Sequence, residues 1–185
     1  MKSDPDTPSV AAVTVPTAPL STTAAATVNR SITSRAEFQA ALRSAFEQAA
    51  ALGSPALWLA DADFVDWPLG ERAVIADLDR WAAANRRLTL LATSFDEVAR
   101  RHPRWVAWRV RWSHIVSCRV NAELGVGAMP SLLLAPGLLT VHLADRLRFR
   151  GRLSGDKVDE IRCKELIDAV SQRSEEAFGA GITGL

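Results

Sequence analysis

Short apolar runs alternate with segments of helical period along the first half of the chain. The runs ALWLA at 56–60 and LTLLA at 88–92 are typical of strands that are buried on both faces. Helical periodicity precedes, separates and follows them, and two Ser-x-x-Glu pairs, beginning at Ser34 and Ser94, mark helix starts. This α-β-α-β-α order predicts an α/β fold with a mixed, mainly parallel sheet flanked by helices, because strands joined by helices are usually parallel neighbours.

The second half predicts one more helix, several strands and a closing helix. Residues 104–113 fit both periods, because their tryptophans recur with helical spacing while their apolar residues also alternate; we favour a helix. The remaining predicted elements are a strand at 115–120, a hairpin of 131–135 and 138–143 joined at Pro136-Gly137, and a strand at 146–153. The last is a helix that begins near Asp156, ends before Gly179 and buries Cys163, Leu166, Ile167, Val170, Ala177 and Phe178.

The first 31 residues differ in composition from the rest of the chain. They consist mostly of Ala, Thr, Pro, Ser and Val, and four prolines interrupt any helix, which predicts a disordered leader at 1–31 before a single α/β domain at 32–185. Neither a secretory signal nor a membrane span is recognisable, so we expect a cytoplasmic protein with no membrane partner. Cys118 and Cys163 have no CxxC or histidine partner at metal-ligand spacing, which predicts two buried free thiols.

Three segments carry a resemblance to a known fold. They are DFVDWPLGERA at 63–73, RHPRWVAWRVRWSHIVSCR at 101–119, and QRSEEAF at 172–178 with the final Gly-Leu. With the predicted order of elements, they resemble an uncharacterised bacterial family that is similar to one half of the phospholipase D-like fold. The resemblance implies the scaffold over about residues 34–185. It also implies a homodimer, because active members of that fold pair two halves about a two-fold axis.

The catalytic motif of that fold is absent. Active phospholipase D-like enzymes carry His-x-Lys-x4-Asp on the hairpin, where the histidine is the nucleophile and the lysine neutralises phosphate charge. The corresponding positions here fall near Pro130, Leu132 and Gly137, none of which can do this chemistry. His102, His114 and His142 are each followed two residues later by Arg, Val or Ala, so no other histidine starts the motif, and we expect structural roles for His114 and His142. The resemblance therefore predicts the scaffold without phosphodiesterase activity and assigns no cofactor.

Net charge is +1, so any electrostatic function must be local. Between Arg86 and Arg152 there are twelve arginines and no lysine, against four acidic residues. The strand predicted at 146–153 alternates, with Leu147, Phe149, Gly151 and Leu153 on its buried side. The arginines at 146, 148, 150 and 152 then form a row on its exposed side. We therefore predict an anion-binding or interaction module whose partner is nucleic acid, another anionic ligand or a protein. The candidate binding residues are Arg109, Arg111, Arg146, Arg148, Arg150 and Arg152, with Trp105, Trp108 and Trp112 as candidate base-stacking residues.

Two alternatives remain open at this stage. Asp61, Asp63 and Asp66 follow a buried strand, where α/β sheets commonly place ligands, and an Asp-x-Asp pair is able to hold Mg²⁺. A metal-dependent hydrolase or transferase is therefore the enzymatic alternative, although the same aspartates also suit helix capping and loop solvation. The other alternative is a structural partner of another protein.

Overall fold

The computed structural model describes residues 29–84, 86–125 and 127–178. In chain order, the strands β1 to β8 are Asn29–Ile32, Ala56–Ala60, Arg87–Ala92, Val116–Val120, Ser131–Ala135, Leu139–Asp145, Arg150–Ser154 and Glu175–Glu176. The helices α1 to α5 are Arg35–Leu52, Arg72–Ala82, Asp96–Arg101, Pro103–Arg111 and Lys157–Ser171.

The strands form one sheet in the order β1-β7-β6-β5-β2-β3-β4-β8. The pairs β2–β3 and β3–β4 are parallel, as the helical connections between them require. The other five pairings of the described strands are antiparallel. The prediction of a mainly parallel sheet is therefore wrong, because the chain after β4 returns beside β2 in the opposite direction and continues through short turns, which join only antiparallel neighbours.

The two faces of the sheet are covered unequally. Helices α1 to α4 pack on one face and enclose the larger core, in which Trp67, Trp81, Trp105 and Trp108 are almost fully buried. Helix α5 lies on the other face, where Cys163, Ile167 and Val170 pack on residues of β2, β3 and β5. The first face is therefore closed, whereas on the second a single helix crosses a sheet of eight strands.

The first strands and most of the helices lie where the pattern predicts them. The strand predictions at 56–60, 88–92 and 115–120 are confirmed within one residue, and the ambiguous tryptophan segment is helix α4. The hairpin at Pro136-Gly137 is also confirmed, with Gly137 at φ +73° and the Leu138 N–H donating to the Ala135 carbonyl. Glycine adopts this left-handed conformation without steric cost.

The strand predicted at 146–153 is confirmed only over 150–153, which belong to β7; the first half of the prediction is wrong. Strand β6 ends at Asp145 and β7 begins at Arg150, with a turn between them. Leu147, predicted to be buried, is 93% exposed at the turn. Phe149 takes a φ of +50° and places its ring 6.3 Å from that of Phe38. Residues 146–149 match the alternation of a strand although they form a turn, in which Phe149 points back to the core.

Helix termini differ in detail from the predicted ones. The Ser34 side chain accepts the Glu37 N–H and caps α1 as predicted. Ser94 instead accepts the Asp96 N–H, and Phe95 is the N-cap of α3. Helix α5 follows Asp156, but it ends at Ser171 instead of near Phe178, and Leu166 is 38% exposed instead of buried. Ala177 and Phe178, predicted to lie in that helix, follow β8 and are partly buried.

The N-terminal boundary also differs from the predicted one. The predicted leader lies outside the described residues except for 29–31, which belong to β1 and pair with β7.

Both cysteines are buried and free, as predicted. Burial raises the pKa of the Cys118 and Cys163 thiols to about 11, so both are protonated at neutral pH. Among the described helices, none is both long and apolar enough to cross a bilayer.

Gly151 is required by the close pairing of β7 with β6. A Cβ atom at this position would clash with the His142 carbonyl oxygen and lie 2.7 Å from the Leu143 Cα. We predict that Gly151→Ala lowers the free energy of unfolding by about 1–3 kcal/mol, because backbone must move to admit the methyl group. Urea denaturation measures this change.

Gly125→Ala is the matched control for that measurement. No atom lies within 4 Å of a Cβ at Gly125, and we expect this variant to lose less than about 0.5 kcal/mol. Equal losses in the two variants would contradict the proposed role of the β6–β7 contact.

Candidate functional site

A polar cluster lies where β2 ends and β5 begins. Antiparallel register pairs Ala60, the last residue of β2, with Leu132. Asp61, which follows β2, therefore lies opposite Ser131, the first residue of β5. Arg146 follows the end of β6, the strand beside β5, and so reaches the same place. We call Asp61, Asp63, Ser131 and Arg146 the Asp61 cluster.

The Asp61 carboxylate is buried and well supplied with donors. One oxygen accepts the N–H groups of Asp63 and Phe64 at 3.1 and 3.0 Å, and the other accepts the Ser131 hydroxyl at 2.5 Å. The Arg146 guanidinium lies 3.4 Å from the first oxygen and also pairs with Asp63. The side chains of Asp61 and Arg146 are 2% and 22% exposed. A buried carboxylate is tolerated only when it is compensated in this way.

This arrangement does not favour the metal-dependent alternative. Arg146 and hydrogen-bond donors already occupy both oxygens of Asp61 and the Oδ1 atom of Asp63, and Asp66 forms an ion pair with Arg35 at 2.7 Å. Within the ranges that the structure describes, no group of three His, Cys, Asp or Glu residues is placed to hold a metal ion. The Asp61 cluster therefore fits a structural clamp between strands better than a catalytic centre.

Three of the six candidate arginines are engaged within the fold. Arg146 belongs to the Asp61 cluster. Arg109 is buried on α4, donates to the Phe178 carbonyl and places its guanidinium 4.6 Å from the centre of the Phe178 ring. Arg111 pairs with Asp79 of α2 at 2.9 Å. Because α2 and α4 lie on the closed face of the sheet, the six arginines do not form one surface.

Arg148, Arg150 and Arg152 form the exposed remainder, which we call the arginine strip. Arg148 lies in the β6–β7 turn, with its side chain 81% exposed and a single acidic partner, Asp145. Arg150 is exposed and makes no ion pair with any described residue. Arg152 lies two residues further along β7, on the same side of that strand, and its half-exposed side chain pairs with Asp159 of α5. The strip therefore presents three cations to solvent, of which Arg152 contacts α5.

Neither the tryptophans nor the histidines supply further site residues at the arginine strip. Trp105 and Trp108 are buried in the core, and Trp112 is partly buried with its indole N–H on Asp79, so base stacking by the first two is excluded. His102 is buried and donates from Nε2 to the Phe64 carbonyl at 3.0 Å. Burial lowers the pKa of His102, and it also lowers the pKa of His142 in β6, so both imidazoles are neutral at pH 7.

The chain is similar in structure to two solved proteins. One is TrmBL2, an archaeal chromatin protein described as having a novel mode of DNA binding, with a TM-score of 0.55 and 11% identity over 82% of this chain and 55% of that one. The other is NucT from Helicobacter pylori, with a TM-score of 0.52 and 8% identity over 82% of this chain and 99% of NucT. This chain thus spans about half the length of TrmBL2. No family profile and no curated protein matches its sequence.

At such low identity the two likenesses show the fold alone. It is an α/β fold with a mixed sheet of eight strands flanked by helices.

Sequence reasoning missed Ser131 as a partner of Asp61. The only available signal was strand direction: an antiparallel β5 beside β2 brings the two residues together, whereas the predicted parallel sheet does not. The spacing of Asp61, Asp63 and Asp66 in the sequence does not indicate which cation each carboxylate contacts.

Arg146 should stabilise the fold, whereas Arg150 should not. We predict that Arg146→Gln lowers the free energy of unfolding by about 1–3 kcal/mol, because the buried Asp61 carboxylate loses its compensating charge. The matched control Arg150→Gln removes an exposed cation from the same turn region and should change stability by less than about 0.5 kcal/mol. Urea denaturation of both variants tests this, and equal effects would show that Arg146 is not part of a structural clamp.

Proposed function

We propose that this chain is a non-catalytic phospholipase D-like half-domain that binds nucleic-acid phosphates through the arginine strip. The observation that carries this proposal is the exposure of Arg148, Arg150 and Arg152 within five residues of chain, with Arg150 making no ion pair with a described residue. Guanidinium groups present forked donors that suit phosphate oxygens.

The strip has the geometry that backbone binding needs. Alternate residues of a strand lie about 6.6 Å apart, so Arg150 and Arg152 are able to contact different phosphates of one backbone. The ion pair of Arg148 with Asp145 is exposed and therefore weak in water, whereas Arg152 pairs with the buried carboxylate of Asp159. A phosphate therefore displaces little at Arg148 and meets no ion pair with a described residue at Arg150.

The fold supports the scaffold part of the proposal. The sequence segments at 63–73 and 101–119 resemble a phospholipase D-like family, and the described residues share their fold with NucT and with TrmBL2, which is described as binding DNA. Function does not follow from fold, so the arginine strip remains the feature to test.

A non-catalytic role fits the chemistry at the hairpin. Strands β5 and β6 carry no His-x-Lys-x4-Asp motif, and Ser131 at the start of β5 is buried and donates to Asp61. A hydroxyl buried in this way has no access to a substrate.

Fluorescence anisotropy of labelled single- and double-stranded oligonucleotides, between 50 and 200 mM salt, tests the proposal. Three phosphate contacts should weaken duplex binding about 40-fold over that range, because each contact releases condensed counterions. The double variant Arg148→Glu with Arg150→Glu should lose most of the affinity and retain only about a threefold salt effect.

The matched control exchanges two arginines elsewhere for glutamate. Arg72 on α2 and Arg173 after α5 are exposed and make no ion pair with a described residue, so the double variant Arg72→Glu with Arg173→Glu has the same net charge as the test variant. If both double variants lost the same oligonucleotide affinity, the loss would come from net charge and not from the arginine strip. An absence of binding at 50 mM salt would refute nucleic-acid binding and favour a protein partner.

We also propose that the chain forms a homodimer, since the fold it resembles pairs two halves about a two-fold axis. Light scattering coupled to size-exclusion chromatography should then give twice the 20.0 kDa chain mass. A mass of 20.0 kDa at micromolar concentration would contradict the dimer and leave phosphate binding to the single chain.

A further inference from the structure

The open face of the sheet contains a second polar surface, on the far side of α5 from the arginine strip. Helix α5 packs on β3, β5 and β6, and beyond the end of this helix the strands β2, β3 and β4 are uncovered. A depression of about 410 Å³ lies there. We call it the β2–β4 site; the residues used below are Trp58, Arg87, Thr89, Ser117, Arg119 and Glu176.

Strand register builds the floor of this site. Trp58 of β2 is paired with Thr89 of β3, and Thr89 is paired with Ser117 of β4, so the three side chains form one row across the sheet. Neighbouring strands lie about 4.8 Å apart, and cross-strand partners point to the same face. Trp58 is partly exposed, so this row ends in an indole that is not fully covered by the core.

Two arginines lie on the same face, one on each side of this row. Arg87 comes two residues before Thr89 and Arg119 comes two residues after Ser117, so the alternation of each strand directs both toward the site. Arg87 is exposed, and its side chain has no hydrogen-bond or ion-pair partner among the described residues. The Arg119 guanidinium makes one hydrogen bond there, to the Ser174 carbonyl. Glu176 also borders the site, which leaves one carboxylate against two guanidinium groups.

This combination specifies a class of ligand. A partly exposed indole offers a face on which a planar base stacks, and an unpaired guanidinium offers forked donors to a phosphate. The Cα atoms of Trp58 and Arg87 lie one strand and two residues apart, or about 8 Å. At that separation of Cα atoms, the two side chains are able to contact one small ligand.

We infer that the β2–β4 site binds a nucleotide, with the base stacked on Trp58 and the phosphate held by Arg87 and Arg119. The occupant is either a free mononucleotide or an unpaired nucleotide of a longer strand, since both carry the same base and phosphate. This site shares no residue with the arginine strip, so nucleotide binding here is tested independently of the proposed function.

Isothermal titration of the full chain with adenosine 5′-monophosphate tests the inference. Arg87→Gln should weaken binding at least about tenfold, because a charge-assisted phosphate contact is lost. Adenosine, which lacks the phosphate, and ribose 5-phosphate, which lacks the base, should each bind at least about tenfold more weakly than the nucleotide. Trp58→Leu should remove the advantage of the nucleotide over ribose 5-phosphate.

Arg72→Gln is the matched control, because Arg72 is equally exposed but lies on α2, across the sheet. It should bind the nucleotide as the unaltered chain does. No titration heat at millimolar nucleotide, or equal affinities for Arg87→Gln and Arg72→Gln, would overturn the inference. Since Arg87 is exposed, its replacement should leave the fold intact, which circular dichroism checks.

A single-stranded oligonucleotide distinguishes the two sources of the nucleotide. If Arg87→Gln weakens both mononucleotide and oligonucleotide binding, the occupant is an unpaired nucleotide of a strand. If it weakens only the mononucleotide, the occupant is a free nucleotide. Both results support the β2–β4 site, and neither depends on whether the arginine strip binds a duplex.

Discussion

The carboxylate of Asp61 joins parts of the sheet that are distant in the sequence. It lies at the end of β2, accepts the hydroxyl of Ser131 at the start of β5, and faces the guanidinium of Arg146 after β6. An ionised group this deeply buried is costly unless donors and an opposite charge surround it. The register of β2, β5 and β6 brings the Ser131 hydroxyl and the Arg146 guanidinium to Asp61, and so allows its carboxylate to be buried. Arg146 lies inward, whereas Arg148 in the turn that follows is exposed, and β7 begins at Arg150.

Unequal coverage of the sheet decides which residues are available for binding. Four helices close one face and retain Arg109, Trp105 and Trp108 within the structure. A single helix crosses the other face and leaves strand residues accessible on both of its sides. The arginine strip and the β2–β4 site both arise from this asymmetry, one near the edge at β7 and the other over β2 to β4. Eight strands are too wide for one helix to cover, so exposed polar side chains on this face are needed for solubility whether or not they also bind a ligand.

Much of the local structure was predictable because it depends on neighbours in the chain. The cap at Ser34, the helical spacing of Trp105 and Trp108 and the turn at Gly137 are each determined within a few residues. The alternation at 146–153 failed for the converse reason. A short turn with Phe149 bent back to Phe38 has the same polar and apolar pattern as a strand, and only the distant ring shows which one forms.

By itself, the sequence determined the α/β class, the positions of most helices and strands, two buried thiols and the absence of the phospholipase D-like catalytic motif. The tertiary structure alone decided strand direction, the partners of each arginine and the row that joins Trp58, Thr89 and Ser117. The physical reason is the distance along the chain over which each interaction acts. Capping, turns and periodicity act within one or two turns of chain, whereas ion pairs such as Arg146 with Asp61, and register across a sheet, join residues that are brought together only by folding.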